Sequence, residues 1–358
     1  MKVFLRILVV LVIIFLIGFY DGPSVQENEL LQNEPVKLSR DDKGTNVPAD
    51  LSDGLTRPKS GISVYIGKSV EEFITKWGEP DRIDPGYYDL EWLIYQGGAE
   101  AYIQVAVKDE TVKAIYVLGE NIDLSPFKIG QPLEEIYRFT MITSEIIVES
   151  DNGVYQFELS EQDLHTRLLV PFGDMYGQLF VDRFTGNILA VYFMDKETLL
   201  EQRPYELVYR GDLPAVPVEQ ANQTEIDAAA EQQLFEMTNV IRKQRSISAL
   251  KPDFQLAGIA KEQSRLLYED SLLTDESLQG TLQQRLTEGI ASFEEASENS
   301  ASNYTHSFSV LHAWMNSEGH RETMLKEEYT HLGTGVYYLF FTQDFIKYDM
   351  DEENEDDS

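Results

Sequence analysis

Apolar and polar positions divide the chain into blocks of different texture. Lys2 and Arg6 precede Ile7 to Tyr20, a run that is apolar apart from Gly18 and the terminal Tyr20. Counted from Val3, with Arg6 snorkelling, about 18 residues at roughly 1.5 Å each approach the hydrocarbon thickness of a bilayer. From Asp21 to about Ser60 no apolar period exists and Pro23, Pro35, Pro48 and Pro58 interrupt the chain, which predicts a flexible spacer. Further on, Leu234, Met237, Val240 and Ile241 form one stripe within Glu225 to Arg245, the mark of an amphipathic helix. Leu256, Ile259, Ala260 and Leu267 predict a second helix, and Ser309 to Trp314 a short third one that ends at the Ser317 to Arg321 turn. Asp349 to Ser358 carries seven acids in ten residues and predicts a solvated, disordered tail.

Between Gly61 and about Pro204 the pattern repeats. Ile66-Gly67-Lys68-Ser69-Val70-Glu71-Glu72-Phe73 returns 63 residues later as Ile129-Gly130-Gln131-Pro132-Leu133-Glu134-Glu135-Ile136. Each copy opens a short helix after a glycine, with glutamates in the first turn, where the helix dipole favours them. Alternating strands follow: Ala101 to Val107 and Val112 to Leu118 in the first copy, Gln178 to Val181 and Ile188 to Phe193 in the second. The second copy carries extra strands around Tyr155 to Pro171. The pattern predicts a duplicated helix-plus-antiparallel-sheet domain over 61–205, with repeats at 61–122 and 124–200. Gly211, Pro214 and Pro217 predict a linker over 206–224 before a last domain at 225–346 and the tail at 347–358.

Composition narrows the compartment. An apolar share of 42% and an aromatic share of 11% are globular values. A formal charge of −33 offers no clustered cations for phosphates, so nucleic acid is not an expected partner. The absence of cysteine removes thiol catalysis, disulfide scaffolds and lipid attachment through an N-terminal cysteine. Lys2 and Arg6 belong on the cytoplasmic side, so the rest of the chain is expected outside. No small-x-small site precedes Asp21, which favours a retained anchor over a cleaved signal peptide.

The richest stretch is Glu298 to Phe345, which holds four of the five histidines. Its run Trp314-Met-Asn-Ser-Glu-Gly-His-Arg321, then Met324-Leu325, then Thr330-His-Leu-Gly-Thr-Gly-Val336 resembles the bacterial CAP (SCP, PR-1-like) family. Glu298-Asn299 and Phe341 to Phe345 are similar to two further segments of that family. The duplicated region with its Trp77-Gly-Glu-Pro80 opening resembles the CAP-associated N-terminal domain of Bacillus-type envelope proteins. The resemblance implies an α+β chain: an α-β-α sandwich (the CAP fold) at the C-terminus, preceded by the duplicated domain. Between Gly335 and Phe345 the chain is shorter than the family pattern, leaving a minimal hairpin or one continuous strand as alternatives.

The resemblance also implies a cavity lined by acids and histidines. His320 and Glu298 match two of its positions, and Asp275 stands where a histidine is usual; Asn299, Ser317 and Arg321 adjoin them. Asp275, Glu298 and His320 together would suit a divalent cation, with calcium or magnesium gaining on zinc as oxygen replaces nitrogen. Glu298 and His320 are also the candidates for acid–base chemistry. A competing expectation is that these two side chains bond each other and brace the cavity. His306, His312 and His331 are expected in structural places rather than as ligands, and His165 at the surface. No metalloprotease helix, nucleophile elbow or phosphate loop is present. Two kinds of function therefore stand: a non-enzymatic binding module of the cell envelope for a lipid, glycan or protein, and a metal-dependent hydrolase or peptidase. A structural envelope or sporulation component is the third.

Overall fold

The computed structural model describes residues 23–41, 55–97, 101–140, 142–214, 222–273, 280–290 and 292–348. The N-terminal apolar run, Asp275 and the acidic tail lie outside them. Three short strands occupy the segment expected to be a spacer: β1 (Ser24–Glu27), β2 (Leu31–Gln32) and β3 (Leu38–Arg40). Strands of two to four residues have no readable period, and their partners lie far along the chain: Ser24 pairs with Glu295 and Leu38 with Leu207.

The first repeat contains α1 (Val70–Trp77), β4 (Arg82–Pro85), β5 (Glu91–Gln96), β6 (Ala101–Lys108) and β7 (Thr111–Gly119). The second contains α2 (Leu133–Phe139), β8 (Glu145–Ser150), β9 (Gly153–Glu158), α3 (Glu161–Thr166), β10 (Arg167–Phe172), β11 (Met175–Asp182) and β12 (Asn187–Asp195). The duplication holds at the level of single hydrogen bonds. In the first copy the Gly67 amide donates to the Val112 carbonyl, Val112 to Lys68 and Val70 to Glu110, at 2.8, 2.9 and 2.9 Å. In the second, Gly130 donates to Ile188, Ile188 to Gln131 and Leu133 to Gly186 at the same three distances, 2.8, 2.9 and 2.9 Å. Gly67 and Gly130 sit at φ of 80° and 78°, a left-handed turn that a side chain would strain.

The two repeats share one antiparallel sheet, in the order β10-β11-β12-β7-β6-β5-β4. They join where β7 meets β12, with Val117 opposite Val191. Its central strands are buried on both faces, which is why they read as near-continuous apolar runs. After α4 (Lys196–Gln202), β13 (Glu206–Gly211) occupies the first part of the expected linker. It completes a smaller sheet, β3-β13-β9-β8, in which Leu207 lies between Leu38 and Phe157.

The C-terminal domain comprises α5 (Gln223–Gln244), β14 (Lys251–Pro252), α6 (Phe254–Ser271), α7 (Leu282–Gly289), β15 (Glu295–Ser302), α8 (Ser307–Met315), α9 (Glu318–Leu325), β16 (His331–Tyr337) and β17 (Phe340–Lys347). The sheet order is β1-β15-β17-β16-β14, with β2 also on β15. The last hairpin takes the minimal form: Tyr338, at φ of 56°, and Leu339 alone connect β16 to β17. Gly335 lets α6 lie directly on β16, since a Cβ there would stand 2.0 Å from the Lys261 nitrogen.

One hydrophobic core runs through both domains. Helices α5 and α8 rest on the seven-stranded sheet, where Phe308 stacks on Tyr116 at 4.5 Å and meets Trp92 edge-on. Around this apolar centre, Arg82 grips Glu236 through two bonds of 2.7 and 3.0 Å, Tyr102 donates to Glu236 at 2.8 Å, and Gln233 donates to Asp84 at 2.9 Å.

Candidate functional site

Strand β15 is the axis of the site, because its alternate side chains face opposite sides of the sheet. Ala296 packs with Leu282 and Leu286 of α7, and Glu298 on the same side is ion-paired with Arg285 of that helix. Ser297 and Asn299 point the other way: Ser297 bonds the Tyr329 hydroxyl, and Asn299 donates to the His320 carbonyl at 3.0 Å. Glu298 and His320, expected to converge or to bond each other, thus bond different partners on different sides of β15.

On the α7 side a row of carboxylates crosses three strands. Glu27 of β1 is in register with Glu298, which is in register with Asp344 of β17. Glu298 is 3% exposed and Asp344 1%. Burial raises Asp344 well above the usual carboxylate range, and the Glu298 charge raises it further. Glu298 is also raised by burial, but the Arg285 guanidinium opposes that rise. Within the pair a proton is thus favoured on Asp344 over Glu298, whose negative charge Arg285 matches. Glu27 has a separate partner, accepting at 2.7 Å from the Leu282 amide at the start of α7, where the helix dipole favours an anion.

On the α9 side, His320 Nδ1 meets the Ser317 hydroxyl at 2.8 Å, and its ring lies parallel to Trp314 with centroids 6.4 Å apart. Burial lowers its pKa, opposed by the Glu29 and Ser300 carbonyls and the Glu29 charge. Arg321 extends instead to the domain boundary, where it donates to Asp182 at 2.8 Å and lies over Phe184. Beside it opens a cleft of about 440 Å³, lined by Gln26, Ser297, Arg321, Thr323, Lys326 and Tyr329.

Of the expected metal set, Asp275 lies outside the described residues, Glu298 is ion-paired with Arg285, and the His320 ring bonds the Ser317 hydroxyl. Among the described residues no three His, Cys, Asp or Glu side chains converge on a point that could hold a metal ion. Asp344 was not a candidate, although an acid in the β17 run Phe341 to Phe345 was the available signal. The other histidines take structural places: His306 stacks on Phe308, His312 on Phe180, His331 bonds Thr330, and His165 is exposed.

Among the described residues no helix is long and apolar enough to cross a membrane. The profile of the CAP-associated N-terminal family matches residues 66–205, and that of the cysteine-rich secretory protein family matches 235–345. The chain is 37% identical to the uncharacterized membrane protein YlbC of Bacillus subtilis, over 97% of this chain and 99% of that one. It is 30% identical to YkwD of the same organism over 33% of this chain and 48% of that one. Among solved structures, an extracellular protein containing an SCP domain from Bacillus anthracis is 36% identical, with a TM-score of 0.74 over 83% of this chain and 98% of that one. A cysteine-rich secretory protein from Staphylococcus aureus is 28% identical, also with a TM-score of 0.74, over 89% of this chain and all of that one (100%). The chain belongs to the cysteine-rich secretory protein (CAP, SCP) family, in the form that carries a CAP-associated N-terminal domain.

Proposed function

We propose that this CAP-domain protein is a non-enzymatic binding module of the bacterial cell envelope, held by Val3 to Tyr20 with the bulk of the chain outside. The supporting observation is the separation of its candidate chemical groups: Glu298 bonds Arg285 on one side of β15, and His320 bonds Ser317 on the other. An acid and a base that act on one bond have to converge on it, and these two are each held by another partner. The membrane relative and the extracellular SCP structure agree with the placement, as does the positive flank of the apolar run.

The hydrolase reading keeps one observation in its favour, the buried carboxyl pair Glu298 and Asp344, both raised by burial. The two readings separate in one experiment. The full chain in nanodiscs is incubated with peptidoglycan and with a denatured protein, with and without zinc or calcium, alongside Glu298→Gln and His320→Ala. Retention of wall material without cleavage products supports the binding module. Cleavage abolished by either substitution would replace it with the hydrolase.

A further inference from the structure

The outer edge of β15 is covered by the chain's own residues 24–32. Its path is parallel to β15, with Ser24 to Glu27 opposite Glu295 to Glu298, and Leu31 and Gln32 opposite Ala301 and Ser302. From Glu27 to Leu31 the strap advances by four residues where β15 advances by three, so Asn28 to Leu30 bulge out of register over the α9 side. Backbone amides of Ser24, Asn28 and Asn33 donate to carbonyls of Glu294, Glu298 and Ser302 at 3.0, 3.1 and 3.0 Å. Main-chain pairing of this kind holds an extended peptide whatever its sequence, and side-chain pockets then select among sequences.

Two such pockets are built into this edge. The first takes the Glu27 carboxylate on the Leu282 amide. The second takes the Asn28 amide group, whose nitrogen donates toward three oxygens: Asn299 Oδ1 at 2.7 Å, Thr323 Oγ1 at 2.9 Å and the Glu298 carbonyl at 3.2 Å. Gly319 leaves the space, since a Cβ there would stand 2.6 Å from Asn28 Oδ1. Resting on the reading of the protein as a binding module, we propose that this edge is a peptide-binding site for an extended strand bearing an acid followed by an amide, and that residues 24–32 occupy it in cis as a removable strap.

The strap is short, and its apolar anchorage is slight. Val25 and Leu31 are its partly buried apolar anchors, and Glu27 stands in line with two further carboxylates. A tethered occupant acts at an effective concentration in the millimolar range, so a free peptide competes only when the strap is weakened or the peptide has more to offer. The bulge also places Asn28 and Glu29 over Asn299 and His320, so release of the strap uncovers the side of the site that carries the imidazole.

Hydrogen exchange on the full chain in nanodiscs tests the strap directly. The Asn28 and Asn33 amides are expected to exchange about 100-fold faster than the β17 amides, and about tenfold faster again in Asn28→Ala with β17 unchanged. A fluorescent peptide of residues 23–34 is expected to bind the Asn28→Ala chain about tenfold tighter than the wild type, and to bind neither once the peptide's own Asn28 is alanine. Strap amides that exchange in step with β17 in the wild type would overturn the proposal. So would the absence of peptide binding by an Asn28→Ala chain that melts as the wild type does. Wall cleavage by the protein would end the binding-module reading but leave these exchange rates where they are, so the two failures are distinguishable.

Discussion

His312 lies flat on Phe180, ring centroids 4.1 Å apart and planes within 12°, so a helix of one domain is stacked on a strand of the other. Its Nε2 meets the Tyr116 hydroxyl at 2.8 Å, and His306 stands nearby against Trp92 and Phe308. The contact between the two domains thus contains two rings that must stay neutral.

Acid should weaken that contact. Burial holds His306 and His312 down at about 3 each. The unfolded chain takes up protons on these rings below about pH 6.5 that the native chain refuses, so their effect is loss of stability as pH falls from about 6.5 towards 3. At pH 5 each ring costs about 2 kcal/mol. Asp227 has the opposite sign: burial pushes it up to about 6, so its contribution is full in acid and lost as pH rises through that value. The wild-type curve mixes the two, and a variant isolates the histidine. In urea titrations at pH 7 and pH 5, His312→Gln is expected to shrink the stability difference by about 2 kcal/mol. An unchanged difference would mean that the ring is not held neutral by its burial.

The Glu298–Asp344 pair predicts an asymmetry between two similar substitutions. Burial and the Glu298 charge favour the proton on Asp344, so Asp344→Asn keeps the favoured neutral form and should cost under about 1 kcal/mol. Glu298→Gln leaves the Arg285 guanidinium without its anion in a buried place, and should cost about 3 kcal/mol. Denaturant midpoints of the two variants measure this. Equal losses would show that the charge is not divided as stated.

At the domain boundary, Glu236 accepts from Arg82, Tyr102, Gln96 and Gln232. Glu236→Ala leaves Arg82 paired with Asp84 but takes the acceptor from the buried Tyr102 hydroxyl, and should cost about 2 kcal/mol. Proteolysis between Asp212 and Asn222 should quicken in the same variant, because the polar part of the contact between the two domains is weakened. Global destabilisation with cleavage spread evenly along the chain would count against a boundary role.

Two glycines should fail for different reasons. Gly335→Ala drives a Cβ into the backbone of α6, and no side-chain movement relieves a clash with backbone, so a loss above about 3 kcal/mol is expected. Gly67→Ala meets nothing within 4 Å and bears only the cost of its positive φ, about 1 kcal/mol. Thermal melting of both variants orders the two effects; a reversed order would deny the close approach of α6 to β16.

Much of this architecture was legible in the chain, for reasons that differ by element. The repeat showed because Gly67 and Gly130 are each required by the same turn, and the helix glutamates travel with them. The C-terminal domain showed because its motif residues serve packing: Gly335 admits α6, and Trp314 is wholly buried against β15. The site was less legible. Glu298 and His320 are close in motif, but whether they meet depends on which face of β15 each addresses, and that parity is set by the pairing with β17. Asp344 is an acid between Gln343 and Phe345, and its burial depends on the strand opposite. The strands β1 to β3 left no trace, because a few pairs with a partner so far along the chain impose no period on the sequence.

The separation of β1 from β15 also sets an order of events. Ser24 leaves the ribosome long before Glu295, so the strap has nothing to pair with until the C-terminal sheet exists. The loop it closes spans well over half of the sequence, and contacts of such long range form late. Through that interval β15 carries an unsatisfied row of backbone groups, the kind of edge that recruits strands from other molecules. Docking of residues 24–32 is therefore the step that turns a sticky nascent sheet into a finished surface, and a chain that emerges without them would be exposed to edge-to-edge association from the moment β15 forms.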